Sequence, residues 1–310
     1  LPQFRRVVVV AASLLAISMP AFAGKLAIVI DDFGYRPHNE NQVLAMPSAI
    51  TVAVLPNAPH AREMATKAHN SGHEVLIHLP MAPISKQPLE KDTLRPEMSS
   101  AEIERIISEA VSKVPFATGL NNHMGSAMTS SLFGMQKVMQ ALARYDLYFL
   151  DSMTIGNSQA MRAASGTGVK VIKRKVFLDD TQNEGDIRRQ FNRAVELARR
   201  NGSAIAIGHP HPATVRVLQQ MVYSLPTDIT LVRAGSLLNE PQTDTSVPNG
   251  AAPEKTPRNP FRGVKLCKAK RKPQPVSPGY FFTVVKESVS QSTLAKYFIN
   301  QWQGWGKNRA

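Results

Sequence analysis

Residues 25–34 read "KLAIVIDDFG", an apolar run that ends in two adjacent carboxylates, Asp31 and Asp32, with Gly34 two residues on. A run of this length and composition reads as a buried strand. Side chains alternate between the faces of a strand, so the two acids should not meet at one point while the strand stays regular. They can share a centre only where the backbone turns, and Gly34 permits such a turn at the strand end.

Seven further apolar runs follow, at residues 50–55, 74–79, 117–122, 147–151, 168–172, 204–208 and 229–232. Amphipathic stretches lie between them, among them "PHAREMATKAHNSG" (59–72), "SSAEIERIISEAVSKV" (99–114), "SLFGMQKVMQALARY" (131–145) and "TQNEGDIRRQFNRAVELARRNG" (181–202). In the second, Ile103, Ile106, Ile107 and Val111 recur at helical spacing behind Ser99 or Ser100 as N-cap. Gly72 and Gly202 follow helix patterns as stop signals. Strand–helix alternation repeated eight times predicts an α/β fold, a distorted parallel (β/α) barrel rather than an open doubly wound sheet. No glycine-rich phosphate loop follows the first strand, which weighs against nucleotide binding.

Charge and composition divide the chain. Of the net charge of +14, residues 241–310 carry +9 and Arg5 with Arg6 two more, so residues 24–240 are near neutral at about +3. The first 23 residues combine that arginine pair, an apolar run and Ala21-Phe22-Ala23; this is the pattern of a signal peptide cleaved after Ala23. Export to the periplasm of a Gram-negative host is the expected localisation. Residues 24–240 form the expected barrel. Residues 241–279, with eight prolines and "KLCKAKRK", read as a basic linker, and 280–310, which hold both tryptophans, as an aromatic tail. The tail suits an envelope surface or a protein partner, and export argues against nucleic acid. A single cysteine, Cys267, excludes an internal disulfide and a cysteine-based zinc site.

In a parallel barrel, chemistry gathers at the carboxyl ends of the strands. Those ends carry Asp31-Asp32, then His78 in "EVLIHLP", Asn121, Asn122 and His123 in "TGLNNHMGS", Asp151 and Ser152 in "YFLDSMT", and His209 and His211 in "AIAIGHPHP". Each residue alone has an ordinary explanation as a helix cap or a hydrogen-bonded core group. Together they are costly to bury unless they pair, bind metal or do chemistry. Two imidazoles and a carboxylate make an open zinc set, and a zinc-bound water ionises near pH 7.

The blocks "IDDFG", "EVLIHLPM", "GLNNHMGS", "FLDSMT" and "AIAIGHPHP", in this order over residues 25–237, resemble the divergent polysaccharide deacetylase family. The resemblance implies a distorted (β/α) barrel related to metal-dependent enzymes that remove N-acetyl groups from glycans; with the leader and the zinc set above, the expectation is an exported, zinc-dependent hydrolase acting on an envelope polysaccharide. It assigns Asp31 as base, Asp32 and His78 as metal ligands and His209 as the acid that protonates the leaving amine. The family's H-x-x-x-H pattern is broken here, since Ala82 stands four residues after His78. His123 is the expected replacement ligand. Asn122, Asp151 and His211 are expected to orient the histidines or the substrate. The broken pattern also fits a second expectation, a barrel that binds a glycan or a cell-wall protein without turning it over.

Overall fold

The computed structural model describes residues 23–241. The expected signal peptide, linker and aromatic tail lie outside the described residues, apart from Ala23 and Pro241 at the margins. Among the described residues there are nine strands: β1 (Gly24–Phe33), β2 (Thr51–Val54), β3 (Val75–Met81), β4 (Ala117–Met124), β5 (Tyr148–Asp151), β6 (Val171–Lys173), β7 (Val176–Phe177), β8 (Ser203–Gly208) and β9 (Ile229–Val232). Eight match the apolar runs. The ninth, β7, has two residues and no periodicity for a sequence to display.

All pairings are parallel, in the order β6-β5-β4-β3-β2-β1-β8-β7, with no pairing of β6 to β7. The sheet is thus a barrel with an unclosed seam. β9 pairs with residues 24–27 of β1 and β2 with residues 29–33, while β8 pairs with residues 25–30. Since a strand has two edges, β9 and β2 share one of them in succession.

Helices cover the outside: α1 (Pro37–Leu44), α2 (Ala61–Asn70), α3 (Ser100–Lys113), α4 (Ser126–Ser130), α5 (Leu132–Leu142), α6 (Ala160–Ala163), α7 (Glu184–Asn201) and α8 (Pro212–Met221). Among the described residues, no helix is long and apolar enough to cross a membrane. α7 shows how local sequence sets an element. Asn183 caps it by accepting from Asp186 N at 3.2 Å, acids occupy its first turn and Arg199 and Arg200 its last, and Gly202 ends it at φ +79°. Its apolar stripe of Ile187, Phe191, Ala194, Val195 and Ala198 is buried, the two large side chains contributing about 1.5–3 kcal/mol each. In α3, Ser99 is the residue that caps.

The core has two layers. The larger joins the helices to the outer face of the sheet. The smaller lies inside the barrel and includes Ala27, Val29, Leu76, Leu150, Ile172, Ile205 and Ile207. Counting two residues along each strand from these inward positions gives Asp31, His78, Ser152, Arg174 and His209. The middle of the barrel is therefore apolar inside, and the ends of β1, β3, β5, β6 and β8 turn polar at the last layer, whereas β2 runs into the apolar Leu55.

Candidate active site

Asp31 follows Val29 on the inward face. Asp32 should face outward, but the register of β1 against β2 shifts between Ile30 and Phe33, and Asp32 takes φ +59°. A bulge with one left-handed residue turns the second carboxylate back over the barrel mouth. The turn expected at Gly34 is thus made by Asp32 itself. Gly34 continues it at φ +111°, where a Cβ would also stand 2.6 Å from that of Ala58.

Glu40, fully buried on α1, holds this corner. Its Oε1 accepts from Tyr35 N at 3.1 Å and Arg36 N at 2.6 Å. Burial raises the Glu40 pKa, opposed by these backbone donors. A lone acid in a helix pattern gives no sign of this role.

On the next wall, His78 of β3 pairs in register with Asn121 of β4, and His123 lies two residues further along the same face. Asp32 Oδ1, His78 Nε2 and His123 Nδ1 stand 3.0–3.3 Å from one another. Asp32 Oδ1 is buried yet accepts no hydrogen bond. Three ligand atoms around a four-coordinate cation with bonds of about 2.0–2.1 Å would stand about 3.3 Å apart. The donors fit a zinc-like cation in number, spacing and chemistry, with Asp32, His78 and His123 to hold it.

The outer partners fix the tautomer. Asn121 Nδ2 donates to Asp31 Oδ1 at 2.8 Å, which leaves its Oδ1 to accept from His78 Nδ1 at 2.8 Å. With its proton on Nδ1, the neutral ring presents a lone pair at Nε2. Asp31 Oδ2 lies 3.6 Å from that Nε2, and Asp31 is almost completely buried. Burial raises its pKa against the opposing pull of His78 and His209. Burial also penalises the Asp32 anion, but His123 and His78 outweigh it and hold Asp32 well below the usual carboxylate range. For His78, burial is outweighed by Asp31 and Asp32, and the pKa rises.

Across the mouth, β7 leads into Asp179, a residue the sequence reading does not single out. Asp179 Oδ1 accepts from His209 Nδ1 at 2.9 Å, and its Oδ2 accepts from His209 N and Thr214 Oγ1 at 2.7 Å each. His209 is thus clamped by its backbone and its ring, with Nε2 unused. Burial disfavours the imidazolium, yet Asp179, aided by Asp31 and Asp32, raises its pKa to about 9. The signal in the sequence was present: "KVFLDD" (175–180) repeats, in miniature, the apolar run and paired acids of β1. Asp179, His209 and His211 also lie close enough to share an ion. Asp179 has already accepted three hydrogen bonds, however, and His211 Nδ1 takes Arg36 Nη1 at 2.8 Å, so this group suits a cation less well.

Two expected orienting residues fall on the wrong face. Asn122 and Asp151 alternate with the inward Asn121 and Leu150, so both look away from the centre. Asn122 Nδ2 donates to Met124 O at 2.6 Å and its Oδ1 accepts from Ser152 N at 2.9 Å, while Asp151 Oδ1 accepts from Met153 N at 2.8 Å. They stitch together the left-handed turns at Met124 and Met153 that end β4 and β5. Asn121 takes the role expected of Asn122. Ala82 is committed elsewhere: its N–H donates to Leu94 O and its carbonyl accepts from Ala127 N and Met128 N at the start of α4.

A parallel barrel with Asp32, His78 and His123 grouped at its mouth and a clamped histidine facing them defines the class, an α/β barrel with a candidate metal centre at the carboxyl ends of its strands. Residues 28–238 match the divergent polysaccharide deacetylase family, and the chain belongs to it. It is 79% identical over 304 residues to the uncharacterized protein YibQ of Escherichia coli K12, covering 98% of this chain and 95% of that one. An uncharacterized protein of Haemophilus influenzae Rd is 46% identical over 213 residues, 69% of this chain and 76% of the relative. The crystal structure of the uncharacterized protein ATU2773 of Agrobacterium tumefaciens C58 shares the fold, with a TM-score of 0.65 at 21% identity over 71% of this chain and 91% of that one.

Proposed function

We propose that the chain hydrolyses N-acetyl groups of an envelope polysaccharide, using one divalent cation, zinc by its donor set, held by Asp32, His78 and His123. The observation that carries this reading is the buried, unbonded Asp32 Oδ1 set 3.2–3.3 Å from two imidazole nitrogens, with Asp31 beside it. When bound, the cation would acidify water and polarise the acetyl carbonyl.

The chain's own residues supply the proton transfers. Asp31 Oδ2 takes a proton from the attacking water as its oxygen bonds to the carbonyl carbon, and Asn121 holds the other carboxylate oxygen in place. As the C–N bond breaks, His209 Nε2 gives its proton to the departing nitrogen, so that a free amine and acetate leave. With its pKa at about 9, His209 is protonated at neutral pH as this role requires. Asp179 then stabilises the charged ring and sets its orientation.

The same proposal places the protein in the periplasm after removal of residues 1–23, with residues 280–310 meeting an envelope surface or protein partner; the supporting pattern is the charge and apolar profile of the sequence. Sequencing the mature amino terminus tests the export. For the activity, protein purified without chelator should hold about one zinc per chain and release acetate from peptidoglycan or chitin fragments. Full metal content in both His78→Ala and His123→Ala variants would refute the ligand assignment.

A further inference from the structure

The cleft above Asp32 and His123 has a volume of about 150 Å³, and Tyr35, Arg36, Glu90 and His211 stand at its mouth. Among the described residues, Arg36 is the only arginine or lysine lining it. Its position is built at both ends. Its backbone N–H is fixed by the buried Glu40, and its Nη1 donates to His211 Nδ1 at 2.8 Å.

The identity of that partner is informative. Arg105, Arg199 and Arg216 pair with carboxylates. Arg36 instead meets an imidazole, and among the described residues no carboxylate lies within 4 Å of it. Because Nδ1 accepts, His211 is neutral; burial lowers its pKa, as do His209 and Arg36. A guanidinium bonded to a neutral ring keeps its charge and the donor edge that His211 does not use. Half-exposed Tyr35 beside it offers a ring face to a sugar. Asp32 on the floor and Glu90 at the mouth would repel an anion elsewhere in the cleft, which fixes the end at which an anion can sit.

We propose that Arg36 binds a carboxylate carried by the N-acylated glycan, so that the substrates are acidic sugars. A single guanidinium matches a planar monoanion, whereas a phosphate dianion would call for further cations that the cleft lacks. This narrowing rests on the hydrolase reading above, and binding separates the two. The zinc-loaded full chain carrying Asp31→Asn, which spares the substrate, is titrated calorimetrically. The ligands are a disaccharide of N-acetylglucosamine and N-acetylmuramic acid with its lactyl carboxylate free, and the same compound as the amide. The acid should bind at least about tenfold tighter than the amide, and the ratio should fall to within about twofold when Arg36→Ala is added. Equal binding of acid and amide, absent binding of the acid, or a ratio that survives Arg36→Ala overturns the proposal. Failure of the hydrolase reading has a different signature: no acetate from either compound with the native chain, while the acid-to-amide ratio stands.

Discussion

At the amino-terminal end of the sheet, Glu74 accepts four hydrogen bonds: from Thr118 Oγ1 and Tyr148 OH on one oxygen, and from Thr51 Oγ1 and Gly235 N on the other, at 2.9–3.2 Å. At the carboxyl-terminal end, the buried Asp32 Oδ1 accepts none. The cavity beside Glu74 is the larger, about 530 Å³ against about 150 Å³. Volume alone would therefore place the site at the wrong end. Glu74 has spent its lone pairs joining the starts of β2, β4 and β5 to the turn at Ala234–Leu237, whereas Asp32 keeps one that the fold does not use. A satisfied acid is structure, and an unsatisfied one among imidazoles is a place for a cation.

Substitutions at the two ends should separate these roles. The largest effect is expected from Asp32→Asn, His78→Ala or His123→Ala, each lowering kcat/KM for acetate release by roughly 10³-fold or more with loss of bound metal. Metal analysis alongside kinetics checks this, and full activity in any of the three would erase the distinction. Glu74→Ala should show the opposite profile. Its two buried donors, Thr51 and Tyr148, lose their acceptor, so urea unfolding should register a loss of about 2–3 kcal/mol, while metal content and kcat of the folded fraction stay unchanged.

Within the carboxyl end, neighbouring asparagines sharpen the contrast. Asn121→Ala removes the partner that holds His78 and Asp31, and zinc affinity should fall about 10–100-fold in a chelator competition. Asn122→Ala, one residue on and facing away, should lower stability and leave the affinity within about twofold, because its bonds run to Met124 O and Ser152 N. Matching losses of affinity in both variants would show that alternation is not what selects the site.

These pairs also mark how far the sequence could be read. The eight long apolar runs were legible because burial on both sides of a parallel sheet leaves little but apolar residues. His78, His123 and His209 were legible because they stand at the ends of such runs. Asn121 was open to the same logic, since it shares parity with His123, yet the run of Asn-Asn gives no reason to prefer one until register with β3 is known. Asp179 lies 30 residues from the histidine it clamps and behind a strand of two residues, too short to carry a periodic signal. The turn that brings Asp31 and Asp32 together depends on a bulge fixed by pairing with β2, a contact that no local window contains, and on Glu40, which bonds only four and five residues back but reads as an ordinary helix acid.

The smallest effect near neutrality, and the most specific, is expected at Asp179. The His209 pKa lies above its ordinary 6.5, at about 9. An acid that must be protonated then works up to that pH, and the alkaline limb of kcat should fall there. Asp179→Asn removes the largest contribution that raises the ring's pKa and leaves burial opposed only by Asp31 and Asp32, so the pKa falls from about 9. The limb should move to lower pH, so that the loss relative to the native chain grows from pH 7 to pH 8, with little change at pH 5.5. Stability carries the same sign. A raised histidine pKa contributes stability that is complete below pH 6.5 and lost as pH rises through about 9. The urea midpoint of the native chain should therefore decline across that window, and that of Asp179→Asn should run flatter. An unmoved alkaline limb in a folded, zinc-loaded Asp179→Asn chain would remove His209 from the proton transfer and return Asp179 to the company of Glu74, an acid that only holds strands together.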